Sequence, residues 1–338
     1  MITTDSTPLE TPATPASHDG LLCAYLLDGK GGGRELGWPE VDQWMATDSM
    51  LWVHLDYSHP HSRSWLTDYS GVDELVVNTL LAEETRPRLV LEQEGMLVVM
   101  RGVNNNPGAE PEDMVSIRVW LEPQRIVTTL QRNLQDVDEL RTRIRKGYGP
   151  HDADALFVML TELMAVRVGD VIEELDDNMD QLEDEVLGRQ TRQLRSELAE
   201  VRRTAISLRR YLVPQREVIT RLSVERINWL GEDERTRLRE VSDHLTRYVE
   251  DLEAIRERAA VCQEELNSHI NAQAGQRMYV LAIVAAVFLP LTFITGLLGI
   301  NVGGIPGANH EQAFAMVVGG LLVVGILLVM LFRWRRWM

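Results

Sequence analysis

Cysteine is nearly absent: Cys23 and Cys262 are the only two in 338 residues. They are too few and too far apart for a disulfide framework or a zinc-ribbon spacing, which points to a reducing compartment. Basic charge is also short. Lys and Arg number 34 against 51 Asp and Glu, a formal net charge of −17, and such a field repels phosphate backbones, so a general nucleic-acid binder is excluded. Enzyme signatures are missing too. Gly29-Lys30-Gly31-Gly32-Gly33 is not followed by the Lys-Ser/Thr of a phosphate loop and reads as a turn, and no His-Glu-x-x-His occurs. The most informative absence is local: no Lys, Arg, Asp or Glu stands between Arg277 and Glu311, or between Glu311 and Arg333. A soluble domain rarely tolerates that.

Without Arg277, Glu311, Arg333, Arg335 and Arg336, residues 1–276 hold 30 basic and 50 acidic groups, a net of −20. Cations are the natural guests of such a surface. The composition, 45% hydrophobic and 25% charged, excludes both a wholly disordered chain and an all-membrane bundle. Residues 1–20, rich in Thr and Pro with no Lys or Arg and no apolar core, are expected to be a disordered tail rather than a secretory signal.

Residues 21–150 read as a cytoplasmic α/β domain with a mixed sheet. Its strands are expected in LLCAYLLD, MLWVHLDY, RLVLEQEGMLVVMRGV, VSIRVWL and RIVTTLQR, with helices in SRSWLTDY and from Val72 to Ala82. Residues 151–277 read as long helices. Val171, Leu175, Met179, Leu182 and Val186 recur at steps of three and four, whereas nine of the sixteen residues from Asp170 to Glu185 are acidic. A second helix is expected from about Thr191 to Trp229, kinked at Pro214, and a third from near Glu232. If unbroken to Ile300, that third helix would extend roughly 100 Å.

Tyr279–Ile300 gives 22 uncharged residues and Ala313–Phe332 gives 20, each enough to cross a hydrocarbon layer of about 30 Å. Residues 278–300 and 313–332 are therefore expected to be membrane helices in contact with lipid, joined by an outer loop at 301–312. Arg277 and the basic end at 333–338 flank them, and the bias of basic residues puts both termini in the cytoplasm. Trp334 and Trp337 suit the interfacial belt. Two helices cannot enclose an aqueous path, so transport would demand an oligomer around a symmetry axis.

The stretch Phe288-Leu289-Pro290-Leu291-Thr292-Phe293-Ile294-Thr295-Gly296-Leu297-Leu298-Gly299-Ile300-Asn301 resembles the end of the first membrane helix in the CorA superfamily of metal-ion transporters, whose mark is a Gly-x-Asn motif, here Gly299-Ile300-Asn301. Ile in place of the common Met, followed by Val302-Gly303-Gly304-Ile305-Pro306-Gly307, is similar to the zinc-transporting ZntB branch. So are Glu84-Thr85-Arg86-Pro87-Arg88, Arg209-Arg210-Tyr211 with Pro214-Gln215-Arg216, and Ser223-Val224-Glu225-Arg226. The resemblance implies a homopentameric funnel in a bacterial inner membrane, with an α/β cytoplasmic domain, a stalk helix continuing into a pore-lining first membrane helix, and an Asn301 ring at the outer mouth. It also implies transport of zinc or another divalent cation, with proton coupling proposed and no catalytic cofactor.

Helical spacing puts Met278, Leu281, Ala285, Leu289, Thr292, Gly296 and Gly299 on one stripe. Met and Leu there could close a pore by dewetting, with the Thr292 hydroxyl at mid-span; ordinary packing is the other reading. Asn301 either caps the helix end or offers an amide to a hydrated ion. No Cys, His, Asp or Glu occurs from Met278 to Asn309, so zinc finds no customary ligands there, and magnesium, cobalt or nickel stays physically admissible. Three candidate metal groups lie outside the spans: His310 with Glu311 in the outer loop; Asp176, Asp177 and Asp180 on the acidic helix; and Cys262, Glu265 and His269 along the stalk. Each has a bland alternative as a solvated loop or helix face. His54, Asp56, His59 and His61 sit where a strand enters a turn, and a structural role is favoured for them. The rival to a transporter is a membrane-tethered metal sensor or scaffold.

Overall fold

The computed structural model describes residues 19–46, 49–83, 86–92, 95–188, 192–225, 227, 230–299 and 312–334. Two compact units divide the chain, Met1–Gln263 and Glu264–Met338.

The first unit is built on a seven-stranded mixed sheet, with β1 Leu21–Leu27, β2 Gly33–Glu35, β3 Leu51–Asp56, β4 Arg88–Leu91, β5 Met96–Gly102, β6 Val115–Glu122 and β7 Arg125–Leu130. The strand order is β2-β1-β3-β7-β6-β5-β4. β4 to β7 form an antiparallel meander, and the one parallel pair among the described residues joins β3 to β7, Leu51 opposite Arg125 through Asp56 opposite Leu130. Each expected strand run forms strand, with two refinements. RLVLEQEGMLVVMRGV folds into the β4–β5 hairpin, because Glu92 N–H bonds Gly95 C=O at 2.9 Å and any Cβ on Gly95 would collide with the Leu121 carbonyl. The glycine-rich segment does turn, Asp28 accepting from the Lys30 and Gly32 N–H groups at 2.7 and 2.9 Å, but it then leads into the short edge strand β2.

Five consecutive residues are buried in each of β3, β5, β6 and β7, the pattern of strands covered on both faces. On one face Leu51, Val53, Leu55 and Val127 pack with Trp38 and Val41 of α1 (Trp38–Gln43), Trp65 and Leu66 of a π-helical turn (Trp65–Tyr69) following α2 (Pro60–Ser64), and Val76, Val77 and Leu80 of α3 (Glu74–Leu80). The other face carries α4 (Gln135–Arg145) and the long helices α5 (Ala153–Gly188) and α6 (Arg192–Val224). α1 and α4 add to the helices expected from the sequence; in α4 and the residue before it, Leu134, Val137, Leu140 and Ile144 show the helical spacing that buries them.

α7 runs without interruption over Glu232–Leu298, two residues short of the expected end, and α8 covers Ala313–Trp334. Within the first unit α7 packs beside α5 and α6. Arg237 grips Glu162 bidentately at 2.7 and 2.6 Å, Thr220 and Ser242 hydroxyls meet at 2.7 Å, and the Tyr248 phenol covers Gly169. α6 ends at Val224 rather than near Trp229. The chain turns there, Leu230 N–H reaching Ile227 C=O, and Gly231, whose N–H is taken by the Asp154 carboxylate at 3.1 Å, precedes α7. Pro214 lies inside α6 and leaves the Arg210 carbonyl without its helical donor.

Candidate ion pathway

The second unit contains the two long uncharged apolar runs. The apolar end of α7 and all of α8 are each long and apolar enough to cross a membrane, and neither apolar window is buried in the chain. At 22 residues, α8 extends about 33 Å. Leu291 of α7 reaches Gly325 of α8, where an added Cβ would lie in ordinary contact at 3.9 Å, so the two helices meet there. Between Met278 and Gly299 the partly covered positions of α7 are Ile283, Val287, Pro290, Leu291 and Ile294. At about 100° per residue they share one side of the helix. Met278, Leu281, Ala285, Leu289, Thr292 and Gly296 occupy the opposite side, and all are exposed, Met278 at 69% and Leu289 at 72%. The stripe singled out in the sequence is thus the side of α7 that α8 leaves open.

The Thr295 hydroxyl donates back to the Thr292 carbonyl at 3.0 Å. This half-turn lies just past Pro290, whose missing N–H costs the Ala286 carbonyl its helical donor. Gly299 closes the helix, its N–H bonding the Thr295 carbonyl at 2.9 Å. Ile300, Asn301, His310 and Glu311 lie outside the described residues.

In the first unit the acidic helix is the C-terminal half of α5. Leu175, Met179 and Val186 are buried, Val171 and Leu182 half-buried, and the carboxylates face outward. Three of them converge on one cation from α7. Arg258 bonds Asp176 at 2.7 Å, Glu183 at 2.9 and 2.7 Å, and Asp180. This holds the Glu183 carboxyl below the usual carboxylate range and pushes the Arg258 pKa up. A guanidinium thus fills the space that a sensed metal would need at Asp176 and Asp180; Asp177 is exposed. Sequence reasoning missed Arg258, since nothing local links it to carboxylates about eighty positions earlier.

Cys262 sits in the buried seam of α7 with Sγ 3.9 Å from Glu183. Glu265 and His269, one turn apart, are exposed and approach to 3.8 Å. The other histidine group has structural work. Burial pushes the His54 pKa down to about 3, so it stays neutral, and its Nδ1 meets the Thr128 hydroxyl at 2.7 Å. Asp56 caps the turn at Ser58, His59 caps α2, and His61 packs on Trp38. Among the described residues, no three His, Cys, Asp or Glu side chains are disposed to hold a metal ion.

Comparison with known proteins agrees with the two-helix architecture. The family model described as CorA-like Mg2+ transporter protein matches residues 47–336. The divalent cation transporter CmaX of Pseudomonas aeruginosa is 39% identical over 329 residues, 94% of this chain and 97% of that protein. The zinc transport protein ZntB of Pectobacterium carotovorum is 36% identical over 311 residues, 90% and 94% of the two chains. The solved structure of full-length CmaX superposes with a TM-score of 0.82 at 38% identity, covering 95% of this chain and all of that one. The chain belongs to the CorA-like transporter family and is not an enzyme.

Proposed function

We propose that this protein transports divalent cations across a membrane as a homopentamer, with the exposed stripe of α7 lining the pathway. The observation that carries this reading is the two-sidedness of α7 in the hairpin. α8 covers the side of Ile283, Val287 and Leu291, while a continuous strip from Met278 to Gly296 is left for neighbouring copies and water. The described part of that strip ends at Gly299, immediately before Ile300 and Asn301. A helix C-terminus carries roughly half a negative charge, so a ring of such ends would concentrate cations at the mouth. Mean charge supports the same flow: the acidic first unit is a cation reservoir. The reading places the protein in a bacterial inner membrane with both termini cytoplasmic, since Arg277 and the basic 333–338 segment flank spans whose connecting loop has no Lys or Arg.

Zinc is the proposed cargo, on the strength of the ZntB relatives. The stripe favours a second reading, a broader path for hydrated magnesium, cobalt or nickel. It offers a thioether and one hydroxyl, with no imidazole, thiolate or carboxylate to strip zinc of its water. Proteoliposomes loaded with a zinc-responsive dye separate these. Zinc uptake that a Thr292→Trp plug abolishes supports the pathway, equal magnesium flux favours the broader reading, and no flux of any divalent cation defeats both. Repeating the assay with an imposed pH gradient tests proton coupling.

A further inference from the structure

The first unit is acidic, yet one of its cavities is not. A space of about 770 Å3 gathers Arg86, Arg101, Arg118, Arg132 and Arg210. They come from separate segments: the stretch before β4, the end of β5, the middle of β6, the stretch after β7, and α6. Glu83, Glu112 and Asp113 also line it, leaving a local excess of two positive charges, and Glu112 already accepts from the Thr204 hydroxyl at 3.0 Å.

Arg118 shows most clearly that something is wanted here. It is only 1% exposed. Its guanidinium donates to the backbone carbonyls of Ser116, Ala82 and Glu83 and lies 4.4 Å from the centre of the Tyr57 ring. Its Nε has no partner, and no carboxylate among the described residues pairs with it. A buried cation without a counter-ion is costly. The cost appears as a lowered pKa, caused first by burial, with the neighbouring Arg101 charge adding to it.

The aromatic faces in the cavity are already taken. Arg101 and Arg210 lie 4.7 and 4.8 Å from the Tyr211 ring centre, and Arg118 covers Tyr57. A nucleobase would find no face to stack on, so recognition here is by charge and by forked N–H donors suited to phosphate or carboxylate oxygens. Two segments noted in the sequence and given no role by the ion pathway, Arg86-Pro87-Arg88 and Arg209-Arg210-Tyr211, meet at this cavity.

We propose that the cavity binds a compact oligoanion of phosphate or polycarboxylate type, carrying at least two negative charges, which serves as counter-ion to Arg118 and its neighbours and ties α6 to the sheet. The test uses the full-length protein in detergent, in buffers freed of metal over a chelating resin so that anions cannot act by removing metal, and with ionic strength held constant by sodium chloride. Pyrophosphate and citrate are the probes, read by calorimetric titration and by thermal unfolding. The expected result is saturable binding of at least one, with a midpoint that rises with its concentration. Arg132→Gln and Arg210→Gln, both at exposed positions, each weaken it by roughly tenfold, while Arg203→Gln elsewhere on α6 leaves it unchanged. Pyrophosphate alone would assign the phosphate class, citrate alone the carboxylate class, and both a site that reads charge. Absence of saturable binding, an effect that chloride reproduces at equal ionic strength, or unchanged affinity in both cavity variants would overturn the proposal. So would a structure of the assembled protein in which carboxylates of a neighbouring copy fill the cavity.

Discussion

α7 is written in two chemistries. Up to Gln263 it buries Leu238, Val241, Leu245, Leu252, Ile255 and Ala259 at helical steps and spends its arginines on partners within the chain, Arg237 on Glu162 and Arg258 on three carboxylates. From Met278 to Leu298 it has no charge, and Met278, Leu281, Leu289 and Phe293 are all largely exposed. Both stretches satisfy their backbone within the helix, with Pro290 the local exception, so backbone hydrogen bonding does not distinguish them; what surrounds the side chains does. The first stretch is held by its own chain. The second presents more contiguous apolar surface than a water-soluble monomer keeps, as expected of helices that cross a membrane.

Truncating each stretch is the sharpest way to break this contrast. Leu252→Ala removes a fully buried side chain and is expected to cost about 2–5 kcal/mol in denaturant unfolding. Arg258→Gln comes next. Its pairs are partly exposed and screened, so the loss is about 1 kcal/mol or less, but the variant leaves Asp176, Asp180 and Glu183 facing one another. Millimolar magnesium should then raise its melting temperature more than that of the parent protein; an equal response would mean that the guanidinium is not the cation holding these acids together.

Asp154 braces the start of α7 through Gly231. Its pKa is pushed up to about 6, by burial first and by the hydrogen bond with Asp152, against the pull of the Gly231 N–H. Because the folded value lies above the unfolded 3.8, the group favours the fold below pH 3.8, and that contribution is lost as pH rises through about 6. Asp154→Asn should therefore gain on the parent in melting temperature between those values; parallel pH profiles would contradict the assignment. The smallest effect belongs to the other stretch. Leu289→Ala should change unfolding of the first unit by no more than about 0.5 kcal/mol, with its consequence read in ion flux.

What was legible in the sequence follows from how local each constraint is. Lipid imposes length and apolarity on consecutive residues, so the two spans are legible directly, and the strands are legible because short apolar runs bounded by turn residues announce themselves. The stripe on α7 needed only helical periodicity. β2 was hidden because Gly33, Arg34 and Glu35 carry no strand pattern and form strand only by pairing with β1. Charge was the least legible property. Nine acids in a row of sixteen read as a free anionic surface until Arg258 arrived from another helix, and the arginine cavity is assembled from five segments with no shared spacing. Side chains that meet only through the fold leave no local signal.

The two sides of α7 can be tested by thiol labelling in proteoliposomes. The native cysteines are suitable background: Cys23 is buried with its pKa pushed up to about 12, and Cys262 is buried as well. Single substitutions Ala285→Cys and Thr292→Cys should react quickly with a water-soluble methanethiosulfonate and lose cation flux as they do. Val287→Cys and Leu291→Cys, on the side that α8 covers, should react slowly and keep it. Equal rates on both sides, or the reverse order, would contradict a water-filled path along this stripe.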